Sequence, residues 1–127
     1  MLQKILLTIV LVSMGQSIMA ETTSECENTK DLAKMSSCAE KAYLSSKGEL
    51  NNKIKTIKAQ EDVGSRAQKL LDKAQKSWGQ FRWNYCIFAT IDMEGKVGHS
   101  FHKFDCLNDI TKQQIKNLQK YIEGLDV

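Results

Sequence analysis

Apolar residues recur at helical spacing along three stretches of the chain. Leu32, Met35, Ala39, Tyr43, Ser46, Leu50 and Ile57 share one face at 100° per residue, with Ile54 on its flank. Asp31 stands just ahead of them, where a carboxylate caps a helix. Gly48 falls inside this first helix and softens it by about 1 kcal/mol relative to alanine. In a second stretch, Leu71, Ala74, Trp78, Tyr85 and Ala89 form a narrow stripe edged by Phe81 and Arg82. Ser65 with Gln68 makes a capping box, so this helix is expected to open there and run to Met93. The third face is Leu118, Ile122 and Leu125 with Ile115 nearby, opened by a second capping-box pattern at Thr111 and Gln114.

The links are short. Residues 61–64 read as a turn, residues 94–100 as a glycine-punctuated loop, and Phe101 to Asn108 as a short turn carrying Cys106. These elements predict an all-α fold, a three-helix up-down-up bundle in which two long helices form a hairpin and a shorter one closes it. The second helix concentrates aromatic residues and is expected to be the central one, with Trp78, Arg82 and Tyr85 in the core. Arg82 then needs a carboxylate, a carbonyl or an indole face as a partner.

The first twenty residues change the picture of where this protein works. Lys4, the apolar run Ile5 to Met14 and the small-residue site ending at Ala20 have the layout of a secretory leader. The run is too short to span a bilayer. Residues 1–20 are thus read as a signal peptide and 21–127 as one helical domain, periplasmic or secreted, with no membrane anchor after cleavage.

All four cysteines, Cys26, Cys38, Cys86 and Cys106, lie in the exported part, and in an oxidising compartment they read as two disulfides with three possible pairings. Counted from the turn near Glu61, Cys38 and Cys86 sit at nearly equal heights in an antiparallel hairpin. The expected bonds are therefore Cys38–Cys86 and Cys26–Cys106.

The full chain carries a formal charge of +3, which is no nucleic-acid signature. Charge is unevenly placed. At the end away from the hairpin turn, Glu21, Glu25, Glu27, Asp31, Asp92, Glu94, Asp105 and Asp109 meet only Lys30, Lys96 and Lys103, a surplus of five negative charges. Such a pole steers a basic partner. Asp92, Glu94, Asp105 and Asp109 are the candidate partner-binding acids. Trp83, about 140° from Trp78 around the helix, is a candidate anchor on another side.

Catalytic and metal chemistry find little support. His99, His102, Asp105 and Cys106 resemble a ligand cluster, but an exported cysteine is oxidised and only two histidines remain. They read as loop residues, with no metal and no cofactor. His99-Ser100 lacks a nucleophile elbow, and the loop acids read as capping groups and not as a glycosidase pair. The expectation is a binding protein, not an enzyme.

The assembled residues resemble the lysozyme-inhibitor LprI N-terminal-domain-like family of exported bacterial proteins. The resemblance runs through Cys26, Met35, Cys38, Tyr43 and Glu49-Leu50-Asn51. It is most specific at Leu71, Ala74-Gln75, Trp78, Phe81-Arg82 and Cys86, and closes with Gly98-His99-Ser100, Cys106-Leu107, Thr111, Leu118 and Tyr121-Ile122. Lys47, Ile54 and Gln114 depart from an expected aspartate, tyrosine and arginine. The resemblance implies a disulfide-bridged helical envelope protein that blocks a lysozyme cleft, here through the Asp92–Asp105 loop with the neighbouring N-terminal arm, residues 21–30. The other reading is an envelope adaptor that binds another envelope protein through the Trp83 side or the basic hairpin end.

Overall fold

The computed structural model describes Cys26 and residues 28–124. The leader, Glu21, Glu25, Glu27 and Leu125 lie outside the described residues. The described chain forms three long helices, α1 (Leu32–Gln60), α2 (Arg66–Ala89) and α3 (His99–Ile122), with a 3-10 turn at Ile91–Met93. They run up, down and up, as the hydrophobic pattern predicts.

Local chemistry accounts for most helix ends. Asp31 Oδ1 accepts from the Ala33 and Lys34 amides at 3.0 and 3.3 Å, capping α1. Ser65 Oγ accepts from the Gln68 amide at 3.2 Å, starting α2. The Gln68 side chain takes the Gly64 amide and donates to the Lys58 carbonyl, tying the turn to the end of α1. Gly64 sits at φ +75°, where a side chain would be strained.

The third helix is the central one, contrary to expectation. α1 and α3 form the most extensive helix pair, and α2 packs on α3 less extensively. α3 buries Phe101, Leu107, Asn108, Thr111, Ile115 and Leu118, whereas Cys86 is the only buried residue of α2. Periodicity gives a helix an apolar face but not the depth to which that face is covered. Tyr85 is accordingly 45% exposed and not a core residue, and Leu32 at the start of α1 is also exposed.

α3 also begins twelve residues earlier than the Thr111 pattern suggests, and α2 stops at Ala89, short of Met93. Phe101, Phe104 and Leu107 extend the apolar face backwards at helical spacing, and their burial outweighs a weak local start signal. Thr111, now inside the helix, turns its hydroxyl onto the Leu107 carbonyl one turn back at 2.6 Å.

The disulfides are Cys26–Cys38 and Cys86–Cys106, which corrects both expected pairings. Height along the bundle was the wrong criterion, because a bond also needs side chains aimed at each other. Cys86 points toward α3 into a cluster with Tyr43 and Leu107. Cys38 lies with Cys26, Ala39 and Phe101. The longer α3 brings Cys106 alongside Cys86.

A polar layer crosses the bundle between its apolar clusters. Ser46 Oγ donates to Asn108 Oδ1 at 2.6 Å, both side chains buried. The Arg82 guanidinium lies 4.7 Å from the Trp78 ring and 5.3 Å from the Tyr43 ring and donates to Thr111 Oγ1 at 3.0 Å. The guanidinium thus takes two ring faces and a hydroxyl as its partners.

At the turn end, Tyr121 Oη donates to Glu61 Oε1 at 3.0 Å. This hydrogen bond, then the carboxylate charge, then desolvation raise the phenol above its ordinary value. A folded-state value above the unfolded one means the link stabilises below about pH 10 and is lost as pH rises through the raised value. Between neutral pH and about pH 11, wild type should lose more stability than Tyr121→Phe, as measured by denaturant midpoints; equal losses would show that the link contributes nothing.

Candidate functional site

The connection from α2 to α3 is a hydrogen-bonded tip. Thr90 ends α2 and is buried; its hydroxyl donates to the Cys86 carbonyl at 2.7 Å and lies 3.3 Å from His99 Nε2. The Met93 and Glu94 amides bond back to Thr90 and Ile91, closing the 3-10 turn, and the Lys96 amide bonds to Met93. Gly95 and Gly98 adopt φ +74° and +91°, so the chain reverses twice in few residues. The Cys86–Cys106 bond ties the two helices beneath this connection.

What the tip presents is both apolar and acidic. Phe88 and Val97 are 73% and 76% exposed, and Ile91 is half-exposed. Asp92 and Glu94 stand exposed on the same turn. Behind them, Asp105 and Asp109 line a groove of about 370 Å³ together with Tyr85, Met93 and His102. Asp105 is half-buried and Asp109 exposed. The four carboxylates singled out in the sequence are thus placed around the α2–α3 connection.

The setting differs from a long loop. Residues 99–105 belong to α3, so the connection spans only residues 90–98 and Asp105 sits on a helix. Asp31 is occupied as the α1 cap. Lys103 lies over the Trp83 and Phe104 rings at 5.7 and 5.5 Å. Trp83 is 46% exposed and lines a different, shallow depression with Lys76, Gly79, Gln80 and Asn84. It is not part of the acidic groove.

Phe81 and Tyr85, expected on or beside the covered stripe, are exposed, and so is Phe88, which the pattern did not single out. Their i, i+4, i+7 spacing was visible, but it is also the spacing of a covered face. Among the described residues, no group of three or more His, Cys, Asp or Glu is arranged to hold a metal ion. The Cys106 sulfur is bonded to Cys86. No helix of the described residues is long and apolar enough to cross a membrane.

The profile of the family described as "Lysozyme inhibitor LprI" matches residues 23–118, about three quarters of the chain. No curated protein and no solved structure matches.

Proposed function

The chain belongs to the LprI lysozyme-inhibitor family, and from that premise we propose that it is an exported inhibitor that occludes the cleft of a basic, lysozyme-type hydrolase with the tip at residues 88–98. The observation that carries this reading is the tip itself: exposed Phe88, Ile91 and Val97 flanked by Asp92 and Glu94, on a connection tied at its base by a disulfide. A short, turn-rich segment loses little conformational freedom on binding, so more of its contact energy appears as affinity. The carboxylates favour approach of a cationic protein and orient it, while the apolar side chains exclude water from the contact. Inhibition then follows from blocked access and needs no reaction on the inhibitor. The two disulfides and the leader-like N-terminus support export to the periplasm or beyond.

The test is lysozyme turnover on bacterial cell walls with the purified, folded mature protein in excess. Turnover should fall with inhibitor concentration, and an undiminished rate would refute the reading for that enzyme. Joint Asp92→Lys and Glu94→Lys substitution should weaken inhibition about tenfold at low salt, and less as ionic strength rises and screening shortens. Trp83→Ala, on a separate face, should leave inhibition unchanged.

A further inference from the structure

A second feature lies on the same side of the bundle as the acidic groove but is chemically different. Toward the hairpin end, the trough between α2 and α3 continues as a cleft of about 340 Å³, sharing Tyr85, Ile110 and Gln113 with the acidic groove. One bank is aromatic. The Phe81 and Tyr85 rings, one helical turn apart, lie 5.6 Å centroid to centroid and within 27° of parallel. They are 57% and 45% exposed, with Trp78 next along the bank. The other bank, from α3, carries Ile110 and three amides, Gln113, Gln114 and Asn117. Among the described residues, no charged side chain lines this stretch.

We propose that this cleft binds a neutral oligosaccharide. An apolar occupant would cover the aromatic bank but strip water from the three amides without replacing their hydrogen bonds, which is costly. A charged ligand would find no countercharge among the lining residues, and a nucleic acid would find no cation for its phosphates. A sugar ring meets both banks. Its C–H face stacks on flat aromatic surface, and its hydroxyls both donate and accept, as each amide does. Asn117 Nδ2 lies 3.4 Å from Gln114 Oε1, so the two amides are neighbours on this bank. From Trp78 to Tyr85 the bank extends about 10 Å, room for a short oligosaccharide, and the volume falls within the ordinary small-ligand range of about 300–1,000 Å³. This site is separate from the tip and does not depend on the inhibition reading.

Titrating the isotopically labelled mature protein with two neutral trisaccharides, tri-N-acetylchitotriose and maltotriose, and following amide resonances by NMR tests this without any lysozyme present. At least one should produce saturable shifts confined to residues 78–85 and 110–117. Tyr85→Ala should weaken binding about tenfold and Gln113→Ala severalfold. Both side chains are exposed, so circular dichroism should show both variants folded. Three outcomes overturn the proposal: no shift with either sugar at about 10 mM, shifts that Tyr85→Ala leaves intact, or saturation of the same residues by an amphipathic peptide in preference to both sugars.

Discussion

Replacing Cys86 and Cys106 together by alanine should lower stability by about 3 kcal/mol and the thermal midpoint by about 15 °C. The bond spans 20 positions in sequence, and freeing that loop restores chain entropy to the unfolded state. Cys86 is also fully buried among Tyr43 and Leu107, so truncation leaves a small void in the middle cluster. The functional loss should exceed the stability loss. Even at temperatures where the variant stays folded, the ends of α2 and α3 are no longer tied beneath residues 90–98, and inhibition should drop severalfold. The Cys26–Cys38 pair is the control. It spans 12 positions, so alanine there should cost a similar amount, again about 3 kcal/mol, but it ties Cys26 to α1, packing on Phe101, and does not join α2 to α3. Equal loss of inhibition in both double variants would show that the tie beneath the tip has no special role. Peptide mapping without reduction should recover Cys86 linked to Cys106.

Arg82→Ala should destabilise by about 2 kcal/mol, the largest loss of stability expected from a single substitution. The guanidinium is held by the Trp78 and Tyr43 rings and by the Thr111 hydroxyl, so a single side chain joins α2 to both other helices. Since α2 has only one buried residue, this layer is a large part of what docks it. Arg82→Lys keeps the charge but loses the flat surface that stacks on the rings and the fork that reaches Thr111, and about half the loss should remain. Denaturant midpoints measure both. If Arg82→Ala costs under about 0.5 kcal/mol, the cation–π contacts do not hold α2 in place.

α2 is fixed on one side and open on the other. The polar layer and the disulfide fix its inner side, where Trp78, Arg82 and Cys86 lie. Its other side is left uncovered, and there Phe81, Tyr85 and Phe88 reach solvent. Exposed large apolar side chains in a row mark interaction surfaces more often than chance placement. A helix that is firmly anchored yet half bare is suited to presenting such a surface without unfolding.

Much of this architecture was legible in local spacing and capping chemistry. The caps at Asp31 and Ser65, the turn at Gly64 and the buried face of α1 at Ala39, Tyr43, Ser46, Leu50 and Ile57 follow from residues within a few positions of one another. Such interactions are written in the chain because both partners are near in sequence. The early start of α3, the partner of each cysteine and the open side of α2 were not legible. A helical period sets the angle of a side chain about its own axis, and says nothing of which neighbour lies in that direction or how closely. Thr111 matched a cap, yet burial of Phe101 and Leu107 drew the helix past it. Cys38 and Cys86 matched in height, yet they face different clusters. Tyr85 matched a core stripe, yet packing of α1 directly on α3 left it at the surface, and the candidate sites lie where that long-range choice left side chains uncovered.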